Sequence, residues 1–136
     1  MNKCTKLFSL LILIFSINQL LGQDKLNTKL LTGRWRLENV KNESNSIIDF
    51  TFKTKGMTEI FDFMTFKERN VDLQWGKSKC NGKWDVVDHT LTFNFNNHSP
   101  ISYNIATLTS DTLLIELKIS PLNIDKMTIK MFYKKM

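Results

Sequence analysis

From residue 71 to residue 134 the chain alternates apolar and polar positions with a period of two. Leu91, Phe93 and Phe95 alternate with Thr92, Asn94 and Asn96. Ile101, Tyr103 and Ile105 alternate with Ser102 and Asn104, and Leu113, Ile115 and Leu117 with Thr112, Glu116 and Lys118. Met127, Ile129, Met131 and Tyr133 alternate with Thr128, Lys130 and Lys134. Upstream, Val71, Leu73 and Trp75 alternate with Asp72 and Gln74, and Trp84 and Val86 with Lys83 and Asp85. A strand puts successive side chains on opposite faces, so this pattern predicts six strands in series, each with one dry face and one wet face.

Short polar breaks separate the strands: residues 77–79, 88–89, 96–100, 109–111 and 120–125, with Pro100 and Pro121 among them. Breaks of this length join antiparallel neighbours and leave no room for crossover helices. The first third is less regular. Leu26 to Leu31 is predicted to form a short helix, and Arg34 to Val40 a strand with Trp35 and Leu37 on one face. Residues 42–55 start polar and then carry Ile47, Ile48, Phe50 and Phe52, so a strand could lie inside a long connection. Ile60 to Phe66 is apolar on both sides of the alternation, as expected of a strand covered on both faces.

The predicted fold class is therefore all-β: an antiparallel up-and-down meander closing into an eight- or nine-stranded barrel, with a short N-terminal helix. Closure removes both sheet edges without long return connections. The inward positions Trp75, Trp84, Phe93, Tyr103, Ile115 and Met131 would line the interior. Such a lining suits a small apolar or aromatic molecule, with Tyr103 as a polar contact. The same side chains would equally serve to fill a narrow barrel, and a small domain needs its apolar area for stability.

Gly33-Arg34-Trp35, following the short helical segment, resembles the glycine-x-tryptophan signature that opens the first strand of lipocalins. A second copy, Gly82-Lys83-Trp84, begins a mid-chain strand and is followed by Asp85-Val86-Val87-Asp88 and Leu91-Thr92-Phe93. Tyr103-Asn104-Ile105, Leu108-Thr109, Asp111-Thr112-Leu113 and the closing Met131-Phe132-Tyr133-Lys134 complete a likeness to the small bacterial lipocalin-like domains that covers nearly all of residues 23–136. The resemblance implies a calycin-type β-barrel with Gly33, Trp35, Gly82 and Trp84 as signature positions, and the binding of a small apolar ligand. It also implies an arginine near the last strand packing over Trp35, where this sequence offers only Lys130, Lys134 and Lys135.

At the N-terminus, Lys3 and Lys6 precede an apolar run from Leu7 to Leu21, and the polar chain begins after Gly22. A basic region, an apolar run and a small residue before the polar switch make residues 1–22 a predicted signal peptide, cleaved after Gly22. Leu20 stands where a small residue is preferred, and Asn18 and Gln19 interrupt a run already shorter than a membrane span. The expected product is a secreted or periplasmic domain of residues 23–136, with no stable membrane span after cleavage. Cys4 would leave with the signal and cannot be a lipid-accepting cysteine. Cys80 would then be the sole cysteine, read as a small buried hydrophobe.

Removing Lys3 and Lys6 from the 19 basic residues leaves 17 against 13 acidic ones, a formal charge of +4. The cations are scattered, so no nucleic-acid partner is expected. His89 and His98 fall in predicted turns, and Asp85 and Asp88 point in different directions. With one cysteine and two loop histidines, neither a metal set nor a cofactor is predicted. Asn42-Glu43-Ser44 and Asn97-His98-Ser99 match glycosylation sequons. Two functions remain open: an exported binding protein for a small apolar molecule, or a protein-interaction module such as an inhibitor or envelope-assembly component. The interaction surface would then be the loops at 42–57 and 120–125. An enzyme is not expected.

Overall fold

The computed structural model describes residues 25–47, 60–119 and 127–136. Within them eight strands run in chain order: β1 (Gly33–Lys41), β2 (Phe63–Phe66), β3 (Asn70–Trp75), β4 (Ser78–Val87), β5 (Thr90–Asn94), β6 (Ile101–Leu108), β7 (Thr112–Ile119) and β8 (Met127–Lys135). Each pairs antiparallel with the next, and β8 returns to β1, so the sheet is a closed up-and-down barrel. Burial alternates along the strands as the sequence pattern requires, for example Leu91 and Phe93 on β5 and Leu113, Ile115 and Leu117 on β7. No helix among the described residues is long and apolar enough to cross a membrane.

All six strands expected from the alternation are present, and so is the strand expected at residues 34–40. Three local expectations are corrected. The segment read as a short helix is a single 3-10 turn, Thr28–Leu31, closed by Leu30 and Thr32 N–H groups on the Asn27 and Lys29 carbonyls. The turn between β3 and β4 is confined to residues 76–77, because Gly76 takes a positive φ of 57° and lets Ser78 and Lys79 join the strand. Ile60 to Phe66 is not a strand covered on both faces. Its last four residues form β2, with Asp62 adding backbone bonds to Leu37 and Gln74, and the outward Phe63 is capped by the Arg34 guanidinium, 4.6 Å from the ring centroid. The predicted signal peptide, most of the long connection and the loop at 120–125 lie outside the described residues. Ile47, at the start of that connection, makes one bridge to Lys41.

Up-and-down connectivity sends alternate connections to opposite ends. One end gathers the 3-10 turn and the turns at 67–69, 88–89 and 109–111; the other gathers the turn at 76–77, the stretch 95–100 and the strand ends Lys41, Phe63, Ile119 and Met127. Between them the interior is aromatic. Phe93 packs on Phe61, Phe66 and Tyr103 with centroids 6.2, 5.9 and 5.4 Å away. Phe66 also meets Trp84 edge-on at 5.5 Å. Such pairs add about 0.5–1.5 kcal/mol each beyond their burial.

Tyr133 on β8 is buried in this core, and its hydroxyl donates to the Phe61 carbonyl at 2.7 Å. The bond ties the chain just before β2 to β8, on the far side of β1. Burial, reinforced by the nearby Asp62 carboxylate, holds the phenol far above the ordinary value of 10.0. Because the folded value is raised, this contribution to stability is complete below about pH 10 and is lost as pH rises further, where the unfolded chain ionises first. The urea midpoint is therefore expected to fall above about pH 10. Tyr133→Phe should cost about 1–3 kcal/mol at neutral pH, by leaving the Phe61 carbonyl unpaired, yet flatten that alkaline decline. An unchanged alkaline slope in the variant would contradict this assignment.

Candidate functional site

The end that carries the 3-10 turn is shut. Trp35 is fully buried there, and its indole Nε1 donates to the Leu31 carbonyl at 2.8 Å, tying the turn across the barrel floor. Lys135 completes the seal: its Nζ lies 5.1 Å from the Trp35 ring centroid and donates to the Leu30 carbonyl at 2.9 Å. A lysine thus takes the position for which the sequence resemblance implied an arginine. Its ammonium supplies the cation over the ring without the planar stack. Gly33 makes room for it, since a Cβ there would stand 2.8 Å from Lys135 Cε, at a φ of 129° that side chains avoid.

The six interior positions singled out in the sequence separate into three groups. Phe93, Tyr103, Ile115 and Met131 are buried in the packed core and do not line the cleft at the mouth. Trp84 is partly buried and serves the closed end, with its Nε1 donating to the Lys67 carbonyl at 2.8 Å to brace the turn between β2 and β3. Trp75 borders the open mouth, whereas Trp84 borders a separate outer hollow of about 500 Å³ beside Thr28, Glu68 and Arg69 at the shut end. Below the level of Phe61 the described side chains pack against one another as one buried cluster.

The space beside Trp75 is a cleft of about 680 Å³ at the open mouth, bounded by Phe61, Trp75, Cys80, Asn81, Phe95 and the stretch 96–101. Its floor is Phe61, which meets Trp75 edge-on at 5.6 Å. It exists because β5 stops pairing at Asn94, opposite Lys83, whereas β4 starts five residues earlier at Ser78. Beyond Asn94 the chain leaves the sheet, and the Phe95 ring closes over Gly82, where a Cβ would lie 3.0 Å from the ring and 2.7 Å from the Asn94 carbonyl. The second signature glycine is thus the seat of an aromatic side chain at the cleft wall. Pro100 and Ile101 complete the apolar wall, while Asn96, Asn97, His98 and Ser99 make a polar rim.

Phe95 and Ile101 carry the alternating pattern that marks inward positions, one just past the end of β5 and the other at the start of β6. Phe61 carries no such signal, for it turns inward from the connection before β2, and Cys80, expected as a small buried hydrophobe, is half-buried at the cleft wall. Asp88 takes the left-handed conformation at φ 54° in the turn expected there, and the His89 carbonyl accepts from the Ile105 N–H. The Asn42 sequon is folded into a turn, with the side-chain oxygen accepting from the Ser44 and Ser46 N–H groups. Among the described residues no three His, Cys, Asp or Glu side chains gather as a metal site would require.

An eight-stranded up-and-down barrel, plugged at one end by a tryptophan and with a cleft among the described residues at the other, is the architecture of a calycin-type barrel. The chain belongs to the lipocalin-like domain family, whose profile matches residues 31–115. Among solved structures it is similar to a lipocalin-like protein from Bacteroides uniformis, with a TM-score of 0.53 and 12% identity over 79% of this chain and 99% of that one. It is also similar to bovine odorant binding protein in complex with a selenium-containing odorant. That likeness has a TM-score of 0.47 and 18% identity, over 84% of this chain and 75% of that one. No curated protein matches the sequence.

Burial at the cleft pushes the Cys80 thiol above its ordinary value, so it stays protonated at neutral pH. Reaction with Ellman's reagent at about pH 7 is expected to be at least about tenfold slower than for free cysteine, accelerating in alkaline solution. A rate equal to that of free cysteine at neutral pH would contradict the placement.

Proposed function

We propose that the protein is an exported, non-enzymatic binding protein that takes a small apolar molecule, preferably an aromatic one, in the cleft at the barrel mouth. The observation that carries this reading is the pairing of a filled barrel with an aromatic-walled cleft directly above it. A volume of about 680 Å³ lies within the range of ligand pockets, and apolar walls with a few polar rim groups are their usual composition. Trp75 and Phe95 would face the ligand and Asn96 to Ser99 would ring its entrance. Phe93, Tyr103, Ile115 and Met131 would act from beneath by holding Phe61 in place. The filled interior favours one alternative, a protein-interaction module such as an inhibitor or envelope-assembly component. No cofactor and no nucleic acid enter either reading.

Titration with the naphthalene dye 1-anilinonaphthalene-8-sulfonate tests the binding reading. Dye emission should rise with saturation, and Trp75→Ala should weaken the interaction about tenfold, roughly the worth of one lost ring contact. Trp84→Phe, at the shut end, should bind as the parent does. Equal effects of the two substitutions, or no saturable signal, would remove the cleft from consideration.

Export rests on residues 1–22, with the mature chain starting at Gln23 in a periplasm or outside the cell. Intact mass and N-terminal sequencing of the mature protein recovered outside the cytoplasm should give Gln23 as the first residue. A chain that keeps Met1 and stays in the cytoplasm would refute it.

A further inference from the structure

The wall of the cleft contains unused backbone. Across β2 and β3 the Asp62 N–H donates to the Gln74 carbonyl at 2.8 Å, so the peptide groups of Gln74 turn toward β2 and away from β4. Gln74 stands opposite Lys79 and Asp72 opposite Asn81, so Lys79 and Asn81 turn their own N–H and C=O groups away from β3, toward the side on which β5 lies. The Trp84 N–H, which reaches back to the Arg69 carbonyl at 3.2 Å, confirms the parity from the other end of the strand. β5 has already departed at Asn94, opposite Lys83. Over residues 78–81, about 13 Å at strand spacing, no strand among the described residues pairs with that side of β4, which is an edge facing the mouth cleft. Ser78, Lys79 and Asn81 are exposed.

We infer that this edge binds an extended peptide segment bearing alternate apolar and acidic residues, which adds to β4 as a strand. The inference rests on the cleft being a binding site for apolar groups. An added strand would turn every second side chain inward, onto the wall made by Phe95, Pro100 and Ile101, and the others outward beside Lys79 and Lys83. The ion pairs among the described residues are Arg36 with Glu38 and Lys67 with Asp72, so Lys79 and Lys83 have no acidic partner there. The same lysines argue against a second copy of this chain as the occupant. Two β4 edges paired antiparallel about Asn81 would set Lys79 directly opposite Lys83, and opposed like charges destabilise a strand pair.

The test uses a fluorescein-labelled hexapeptide of alternating glutamate and leucine, read by fluorescence anisotropy on the whole protein. An alternating lysine and leucine peptide serves as the charge control. Two further versions are N-methylated, one at every leucine and the other at every glutamate. Strand addition uses the N–H groups of only one set, so one N-methylated peptide should bind at least about tenfold more weakly and the other should bind like the parent. Lys79→Pro removes a single edge N–H that no strand among the described residues uses, a substitution that edges tolerate. It should weaken the glutamate peptide about tenfold while leaving the naphthalene dye affinity unchanged. Equal binding of both N-methylated peptides, or equal loss in both, overturns strand addition. Dye binding without peptide binding overturns this inference alone, whereas absence of both overturns the cleft reading with it. Concentration-dependent dimerisation abolished by Lys79→Pro would assign the edge to a second copy and overturn the peptide proposal.

Discussion

An eight-stranded barrel is only wide enough to hold side chains or one small ligand, and here the side chains have taken the space. The rings of Phe61, Phe66, Phe93 and Tyr103 contact one another through the middle of the barrel, with Trp35 and Tyr133 buried in the same core. Most of the remaining features follow from that filling. Rings of this size bury large apolar area, which a domain so small needs to fold. They also leave no room for a ligand among those rings, which is why the proposed binding site lies at the rim where β5 leaves the sheet. The Tyr133 hydroxyl bond to the Phe61 carbonyl keeps the topmost ring level, and Phe61 is at once the top of the core and the floor of the cleft.

The two glycine-x-tryptophan motifs do different work despite their common form. At the first, the Trp35 indole bonds to the Leu31 carbonyl and the Lys135 stem crosses Gly33, so both residues serve to shut one end. At the second, the Trp84 indole bonds to the Lys67 carbonyl and braces a turn, while Gly82 lets Phe95 lie against the β4 backbone at the open end. A side chain at Gly82 would push Phe95 and the chain at Asn94 away. Lys135 shows how an ammonium can replace a guanidinium at such a seal. It keeps the charge over the ring, at 5.1 Å, and spends a hydrogen bond on the Leu30 carbonyl.

Strand identity and order were legible because a half-buried antiparallel strand writes its two faces into alternate residues, as in Leu91, Phe93 and their polar neighbours. Closure into a barrel followed from the short turns. Where the sequence misled, local composition competed with the sheet. Ser78 and Lys79 read as a polar loop, yet Gly76 turns tightly enough to place both in β4. Ile60 to Phe66 read as a doubly covered strand, because a cation covering one exposed ring leaves the same apolar signature as a second layer. The candidate site was only partly legible for a related reason. Alternation tells which residues point inward, but whether an inward residue meets a void or another ring depends on where neighbouring strands end. Trp75 and Phe93 are indistinguishable in pattern; the end of β5 at Asn94 is what separates them.

The central claim is that the molecule binds at its mouth and not in its middle. A crystal of the protein soaked with a brominated naphthalene, with the bromine located by anomalous scattering, tests it most directly. The account predicts a single site beside Trp75, Phe95 and Ile101, with the rings of Phe61 and Phe93 unmoved. A bromine among Phe93, Tyr103 and Met131, with those side chains displaced to admit it, would contradict it.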